Sequence, residues 1–292
     1  MQTYRYAKID AFTADGSLGN PAACLYLEDG QLLSEQEMLE IAKQHKGFVS
    51  EVVYCMSGPD RIDLTYYSSE CEVDFCGHGT IACLYKLIQS TPALLGRKEI
   101  PIRTHKKGAL TVYNHIPEND TVLISAPAPQ WIGTRLGGGA VAGALGLPAH
   151  AIHETLPVDC IDAGLRTLIV PLADLATEVS VFPNERTLKL FCEANGIDIL
   201  LIFTMETQRP DSIAHTRVFA PKFGYLEDPA TGSGNSAFGY YMLKNSLWNG
   251  TDCRLEQGGS DRVYNAVHLS APDGGVLFGG SATVRIDGIY NV

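Results

Sequence analysis

The amino-acid sequence predicts an α+β protein made of two similar domains. Three observations predict this class: helix and strand patterns mix along 292 residues, one order of elements occurs twice, and a glycine-rich turn precedes an apolar helix in each half. This length lies near the upper limit of a single hydrophobic core, so two medium-sized domains are expected. Apolar residues make up 45% and charged residues 19%, which is typical of globular chains.

The first half begins with a strand pattern over residues 3–12 and then a capped helix over 32–44. Ser34 and Glu37 have the spacing of a capping box at the start of that helix. β-branched, aromatic and apolar runs predict the elements that follow. These are strands over 48–56 and 62–67, an apolar helix over 80–88, and short strands over 99–103, 109–114 and 122–125.

The second half repeats this order. The helix before its second strand ends at Gly196, as the first-half helix ends at Gly47. The predicted elements are a strand over 167–171, a helix over 185–195, strands over 197–205 and 216–220, and an apolar helix over 236–247. Self-similarity at half the length of the chain predicts a duplicated α+β unit.

A stretch rich in Pro, Gly and Ala over residues 126–150 predicts the domain boundary, with a short helix over 139–147. The tail reads as strands over 262–269, 275–278 and 282–290. We therefore expect an N-terminal domain of residues 1–125, to which the last strand, within 279–292, returns. The C-terminal domain comprises residues 126–278.

Both apolar helices follow a turn that reads G-x-G-x-x-A. Gly77 and Gly79 belong to the first turn, and Gly232 and Gly234 to the second. Glycines let the backbone approach a ligand closely, and the first amides of a helix lack intrahelical partners and carry partial positive charge. Such a turn binds anions. Two of them facing each other across a cleft would form a pocket for a small carboxylate.

A dinucleotide-binding fold is the main rival interpretation of these turns. Its fingerprint requires a strand that runs directly into the first glycine. Here Pro221, Gly224 and Pro229 separate the strand from the glycines of the second turn. The chain also lacks a P-loop and a G-x-S-x-G nucleophile turn. We therefore expect no nucleotide cofactor.

The two halves differ where an enzyme would need asymmetry. Aligning Gly47 with Gly196 aligns Glu51 with Leu200, so the first half has a carboxylate where the second half has an apolar side chain. The two glycine turns also differ, because their polar tips carry His78 and Ser233 respectively.

Glu51 has a functional and a structural interpretation. By strand alternation it shares a face with Val49 and Val53. If it is buried without a cation, its pKa rises toward neutrality, which suits a general acid/base. Alternatively, it lies at a rim and pairs with Lys46. Asp228 is likewise either a polar group of the site or a turn residue.

Charge and composition exclude several classes of function. Lys and Arg number 22 against 33 Asp and Glu, a net charge of −11, which gives no electrostatic footprint for nucleic acid or anionic membrane. There is no membrane span and no signal or transit peptide, so a cytoplasmic protein is expected. None of the eight cysteines forms a CxxC pair. Cys71, Cys76 and His78 come closest to a metal cluster but lack a second ligand pair, so no metal is expected.

The motifs together resemble the PhzF-like phenazine-biosynthesis family, over nearly the whole chain and in order. The matching segments are DAFT at 10–13, GNPAA at 19–23, SE at 50–51, CGHGT at 76–80, EDPATGS at 227–233 and GGSA at 279–282. The resemblance implies the diaminopimelate-epimerase-like fold: two pseudo-symmetric domains, each a sheet curled around a central helix, with the site in the cleft between them. It also implies a cofactor-independent isomerase that forms a homodimer.

The resemblance assigns roles to particular residues. Glu51 would be the acid/base that moves a proton between carbons, and His78 and Asp228 would be its polar partners. The implied substrate-binding positions are Asn20, Ser50, Gly77, Gly79, Gly232 and Ser233. This chain departs from the usual S-E-T/S-x-F segment, because Val52 lacks the hydroxyl group.

Two alternatives remain open at this stage. Epimerase and proline-racemase relatives use two cysteines, one on each turn, whereas this chain has Cys76 on the first turn but Ala230 and Thr231 on the second. A two-base epimerase that uses Cys76 is therefore one alternative, and a non-catalytic ligand-binding protein of the same fold is the other. The main prediction is an isomerase that acts on a small carboxylate.

Overall fold

The computed structural model describes residues 2–28, 30–58, 61–259 and 263–292. The chain divides into two compact units, unit 1 of Met1–Ser125 and Gly279–Val292, and unit 2 of Ala126–Phe278. Within the described residues, no helix is long and apolar enough to cross a membrane.

Up to residue 125 the helices and strands run in the following order: β1 (Thr3–Ala11), β2 (Asn20–Leu27), α1 (Glu35–Gln44), β3 (Glu51–Ser57), β4 (Ile62–Ser68), β5 (Glu72–Val73), α2 (Gly77–Ser90), α3 (Pro92–Leu95), β6 (Glu99–Thr104), β7 (Gly108–His115), α4 (Ile116–Asn119) and β8 (Thr121–Ser125).

The remaining elements are β9 (Gln130–Trp131), α5 (Gly138–Leu145), β10 (Asp159–Asp162), β11 (Arg166–Pro171), α6 (Leu175–Ser180), α7 (Glu185–Ala194), β12 (Ile199–Thr204), β13 (Ala214–Phe219), β14 (Glu227–Asp228), α8 (Gly232–Lys244), β15 (Cys253–Gln257), β16 (Asn265–Ser270), β17 (Leu277–Gly280) and β18 (Ala282–Asn291). Short 3₁₀ turns occupy Ala149–Ala151 and Pro221–Phe223.

The sheet of unit 1 runs in the order β18–β1–β2–β3–β4–β6–β7–β8, and β5 pairs with the other end of β4. The β2/β3 and β4/β6 pairs are parallel and the others are antiparallel. Helix α2 packs against β1, β2, β3, β8 and β18, so the sheet curls around it. An apolar surface on all sides suits a helix to this buried place.

Helix α1 covers the outer face of this sheet. The predicted capping box is confirmed: Ser34 accepts from the Glu37 amide, and the Glu37 carboxylate accepts from the Ser34 amide. Its apolar face packs in a core that includes Ile41, Val52 and Tyr67. The sheet of unit 1 therefore has one face toward α1 and the other toward α2.

Unit 2 repeats this topology. Strands β11 and β12 are parallel like β2 and β3, and β13 and β15 are parallel like β4 and β6. The short strand β14 pairs with β13 as β5 pairs with β4. Helix α8 packs against β10, β11, β12 and β16, in the place that α2 has in unit 1. Helix α7 begins at the side-chain cap of Asn184 and buries Leu188 against the outer face.

The sheet registers correct the alignment of Glu51 with Leu200. Val52 pairs with Tyr67, which pairs with Glu72, and Leu200 occupies the equivalent row in unit 2. The counterpart of Glu51 is therefore Ile199. The loop after Gly47 holds one residue more than its equivalent in unit 2, and one residue of register moves a side chain to the other face of a sheet.

Several predicted boundaries are also wrong. β3 begins at Glu51 rather than at residue 48, and Val49 packs in the outer core, not on the face of Glu51. Helices α2 and α8 begin at Gly77 and Gly232, because the glycines form their first turns. The sequence patterns did not predict β2 or α6. The predicted strand over 262–269 is observed from Asn265, and its first residue, Arg262, lies outside the described residues.

Candidate active site

Glu51 lies at the first position of β3, on the face toward α2. Its neighbour Val53 shows this orientation, because a Cβ built on Gly79 of α2 would lie 2.8 Å from Val53 Cγ2. The Glu51 side chain is 21% exposed. The carboxylate therefore lies beside the N-terminus of α2, half-buried and reachable from solvent.

Cys76 and His78 surround this carboxylate. Nε2 of His78 lies 3.3 Å from Oε2 of Glu51, and Sγ of Cys76 lies 3.9 Å from the same oxygen. Sγ also lies 3.5 Å from Nδ1 of His78. Cys76 is the N-cap of α2, and its Sγ accepts from the Gly79 amide at 3.3 Å. The cap residue thus connects the helix N-terminus to Glu51.

Burial raises the pKa of Glu51 to about 7, and the hydrogen bond from Cys76 opposes this shift. Desolvation favours the neutral form of a carboxyl group, whereas a donor to the carboxylate favours the ionised form. A carboxyl group that titrates near neutrality can both take up and release a proton. The predicted alternative partner of Glu51 is wrong, because Lys46 pairs with Glu70 at the surface instead.

The first turn of α2 contains Gly77 and Gly79. A Cβ at Gly79 would lie 2.8 Å from Val53 and 2.9 Å from Sγ of Cys76, so any larger residue would displace the cap. First-turn amides are the donors that a helix offers to an anion. Gly77 and Gly79 therefore place positive backbone dipoles next to Glu51.

Asn20 and Ser50 flank Glu51 within unit 1. Asn20 is buried at the first position of β2. Ala22, two residues later, pairs with Glu51, so Asn20 lies on the same face of the sheet as the carboxylate. Ser50 precedes β3 and is exposed. The structure thus brings Glu51, His78 and the α2 turn together, with Asn20 along the same face.

In unit 2, Asp228 ends β14 just before the second glycine turn. Its carboxylate accepts a hydrogen bond from the Thr231 hydroxyl, and its backbone oxygen accepts from Nε2 of Gln257 at 3.0 Å. The Gln257 amide oxygen in turn accepts from the Thr231 amide and from Asn235. These contacts give Asp228 a role in fixing the turn.

Gly232 and Ser233 form the start of α8, and Ser233 is half-buried. A Cβ on Gly232 would lie 2.2 Å from the ring of Phe278, so this glycine is required for packing. The sequence analysis also predicted that the two glycine turns line one cleft, and this stays a prediction.

Sequence reasoning missed Gln257 and Asn235, which support the second turn. Both are fully buried polar side chains, and Asn235 lies in the first turn of the buried helix α8. Its position next to an apolar helix pattern was an available signal, because a polar group in a buried helix needs a partner. Gln257 lies on β15, far along the sequence, and only the sheet brings it to the turn.

The residues that could hold a metal ion differ from the predicted set. Among the described residues, one group of ligand atoms converges, from Glu51, Cys76 and His78, all within 4.8 Å of one another. Cys71 is exposed and does not belong to this group. In place of Cys71, the third residue of the group is Glu51, which comes from β3 rather than from the loop before α2.

Comparison with protein families gives a match to the phenazine biosynthesis-like family PhzC-PhzF over residues 9–285. Among curated proteins, the chain is 31% identical to the "Uncharacterized isomerase YfhB" of Bacillus subtilis, over 83% of this chain and 82% of that protein. It is 28% identical to the "Uncharacterized isomerase CA_C3446" of Clostridium acetobutylicum, over 85% and 82%.

Solved structures show the same fold. A PhzF-family phenazine biosynthesis protein of Bacillus anthracis matches with a TM-score of 0.82 and 25% identity, over 100% of both chains. A probable proline racemase of Agrobacterium radiobacter matches with a TM-score of 0.63 at 11% identity, over 99% of this chain and 92% of that one, and this likeness concerns the fold alone. The predicted α+β, epimerase-like fold class is confirmed.

Proposed function

The chain belongs to the phenazine biosynthesis-like PhzC-PhzF family, and on that basis we propose that it is a cofactor-independent isomerase that moves a proton between two carbons of a small carboxylate. Relatives with curated names are called isomerases, which supports this class of reaction. The observation that carries the proposal is the Glu51 carboxyl group, half-buried at a helix N-terminus with its pKa raised to about 7.

In the proposed reaction, ionised Glu51 removes a proton from a carbon next to an unsaturated or carboxylate-activated centre. The C–H electron pair moves into the adjacent π system. The proton on Glu51 exchanges with solvent, to which the side chain is 21% exposed, and Glu51 then delivers a proton to another carbon. The α2 amides stabilise the negative charge that develops, since helix N-termini favour anions. A pKa near neutrality suits a group that must act first as base and then as acid.

The asymmetry of the repeat supports Glu51 as a single acid/base. Its counterpart in unit 2 is Ile199, which cannot exchange a proton. The counterpart of Cys76 at the N-cap of α8 is Thr231, so a racemase with one thiol on each turn lacks its second thiol. Within unit 1, Cys76 serves as a cap and as a hydrogen-bond donor to Glu51.

Deuterium exchange tests the proposal. Wild-type protein and Glu51→Gln are incubated in D₂O with a panel of small carboxylic, amino and dihydroaromatic acids, and each acid is analysed by mass spectrometry. Wild type should introduce deuterium at a carbon of at least one acid. Glu51→Gln should lose at least about 100-fold of this rate, the lower end of what general acid/base catalysis contributes.

Glu72→Gln is the matched control. Glu72 is also a partly exposed glutamate of unit 1 with a histidine partner, since its Oε1 lies 2.7 Å from Nδ1 of His105. It occupies the row of Val52, on the opposite face of β3 and β4 from Glu51. Exchange should persist in this variant. Equal exchange rates in wild type and Glu51→Gln would refute the assignment, and ligand binding without exchange would favour a non-catalytic protein.

His78 and Asp228 are proposed as polar partners of the substrate. His78→Gln removes the ring 3.3 Å from Glu51 and should lower kcat more than it raises KM. Asp228→Asn keeps an acceptor oxygen for the Thr231 hydroxyl but loses the charge that strengthens this hydrogen bond, so the second turn is held less firmly and KM should mainly rise. Unchanged kinetics in both variants would limit the site to Glu51 and the α2 turn.

A cytoplasmic homodimer completes the proposal. Light scattering coupled to gel filtration should give twice the mass of one 31.6-kDa chain. Fractionation of the source cells should place the protein with cytoplasmic markers. A monomeric mass at micromolar concentration would contradict the homodimer.

A further inference from the structure

The three donor atoms around Glu51 have the spacing of a metal site as well as that of a proton-transfer site. Oε2 of Glu51 and Nε2 of His78 are 3.3 Å apart. Sγ of Cys76 lies 3.9 Å from that oxygen and 3.8 Å from that nitrogen. The three atoms come from β3, the N-cap of α2 and its first turn, so secondary structure fixes all three positions.

These edges match a tetrahedral zinc ion. With Zn–S of about 2.3 Å and Zn–N and Zn–O of about 2.0 Å, tetrahedral angles place nitrogen and oxygen about 3.3 Å apart and sulfur about 3.5 Å from each. The nitrogen–oxygen edge agrees, and the two sulfur edges are longer by only a few tenths of an ångström. A displacement of the Cys76 Sγ by about 0.3–0.4 Å would close that difference.

Charge and access also suit a divalent ion. A thiolate and a carboxylate balance a charge of +2, and neutral histidine completes the N, O and S ligand types that zinc accepts. Cys76 is 5% exposed, whereas Glu51 and His78 keep 21% and 14% of their side-chain area exposed. An ion can therefore enter from the solvent side, where its fourth position stays open to water.

We propose that Glu51, Cys76 and His78 form a binding site for Zn²⁺ and similar thiophilic divalent cations, and that such an ion inhibits the enzyme reversibly. On binding, the Cys76 S–H bond breaks, its proton goes to the buffer and an S–Zn bond forms. The Glu51 oxygen donates its lone pair to the metal, so it can no longer accept a proton from a substrate carbon. The inhibition rests on the proposed function, whereas the binding does not.

Calorimetric titration of the metal-free full-length protein with ZnCl₂ tests the binding without any substrate. Wild type should bind one Zn²⁺ per chain through this site. Cys76→Ser should raise the Kd at least about 10-fold, because loss of a direct ligand costs no less than loss of its outer support. Serine is a good N-cap, so this variant should keep α2 intact, which thermal unfolding verifies.

Cys71→Ser is the matched control, since Cys71 is an exposed thiol of the same unit outside the group. It should bind Zn²⁺ like wild type. Co²⁺ should give a thiolate charge-transfer band with wild type and Cys71→Ser but not with Cys76→Ser. Equal Zn²⁺ affinity in wild type and Cys76→Ser, loss of binding in Cys71→Ser, or no binding at all would overturn the site.

A second measurement separates this inference from the isomerase proposal. Zn²⁺ should abolish deuterium exchange by wild type, and a chelator should restore it. If Glu51→Gln keeps full exchange while Zn²⁺ still binds, the assignment of the base fails and the metal site stands. If exchange requires Glu51 but Zn²⁺ binds nowhere near Cys76, the metal site fails and the base stands. If Zn²⁺ binds at the site while exchange continues, the inhibition is refuted.

Discussion

At the scale of single residues, Glu51 shows how one location sets a chemical property. Glu51 is the first residue of β3. The face of β3 that carries Glu51 packs against the buried helix α2, and the opposite face packs against α1. Desolvation there raises its pKa to about 7, although a thiol and a histidine ring lie nearby. The Glu72 carboxylate, two strands away on the other face, lies beside a more exposed histidine.

This pKa determines how the rate should depend on pH. Glu51 must be ionised to remove the first proton, so kcat/KM should rise about tenfold per pH unit below about pH 7 and level off above it. The measurement is deuterium exchange at limiting substrate across the pH range in which the protein stays folded. A profile that is flat from about pH 5.5 to about pH 8 would contradict Glu51 as the base.

The same shift predicts an effect on stability. A carboxyl group whose pKa is raised in the folded state does not lower the free energy of unfolding while it is protonated in both the folded and the unfolded protein. It lowers that free energy increasingly as pH rises from 4.5 to about 7. Glu51→Gln stays neutral throughout. It should therefore gain free energy of unfolding relative to wild type between those pH values.

Urea unfolding of both proteins at pH 4.5 and at pH 8 measures this difference. Glu72→Gln serves as control and should show no comparable gain. A difference between wild type and Glu51→Gln that does not change with pH would mean that Glu51 is solvated in the folded protein.

At the scale of elements, the two central helices both begin at a glycine turn but have different N-caps. The N-cap of α2 is Cys76, whose sulfur accepts from the Gly79 amide. The N-cap of α8 is Thr231, whose hydroxyl donates to Asp228 and whose amide is held by Gln257. One turn thus carries groups that can exchange protons, and the other carries a closed network of hydrogen bonds.

Equivalent glycines in the two turns should therefore differ in their tolerance of alanine. In Gly79→Ala the new Cβ would lie under 3.0 Å from Val53 and Cys76, and we expect a loss of about 1–3 kcal/mol in the free energy of unfolding, together with slower exchange. In Gly234→Ala the nearest contacts are 3.3 Å, and helix propensity offsets part of the crowding, so about 0–1 kcal/mol is expected.

Urea unfolding and exchange rates of the two variants test this difference. Gly143→Ala is a further control, because its Cβ would meet open space on α5 and should be neutral or stabilising. Equal losses in Gly79→Ala and Gly234→Ala would show that the Cys76 cap does not depend on close approach of the helix.

At the scale of the whole molecule, the two units share a topology but differ in continuity along the chain. Unit 2 is one segment, whereas unit 1 includes the C-terminal strand β18, which pairs with β1 from Thr3 to Ala11. Lys86 of α2 also pairs with Asp287 of that strand. Unit 1 is therefore complete only when residues 279–292 are present.

Fragments should reveal this difference. Residues 126–278 contain the sheet and central helix of unit 2, and we expect them to unfold cooperatively on heating, as followed by circular dichroism. Residues 1–125 lack the strand that covers β1 and part of α2, so they should show no cooperative transition. A fusion of 1–125 to 279–292 should recover it. Cooperative unfolding of 1–125 alone would contradict the prediction.

Much of this architecture could be predicted from local patterns. The capping box of α1, the apolar character of α2 and α8 and the repeated order of elements all depend on residues close in sequence. Strand β2 was missed because its run over Asn20–Leu27 has a proline, Pro21, at its second position and lacks polar alternation. The residue of unit 2 that is equivalent to Glu51 was misassigned, because the loop after Gly47 is longer by one residue. That extra residue can be recognised only from the pairing of strands.

The sequence by itself determined the α+β class, the duplication, and the candidate acid/base on one copy only, because periodicity and glycine turns are local properties of the chain. Only the tertiary structure decided that Cys76 and His78 converge on Glu51, that Gln257 supports the second turn and that Ile199 is the counterpart of Glu51. Those facts depend on sheet register and on helix placement. Both follow from packing between segments far apart in sequence, which no local pattern encodes.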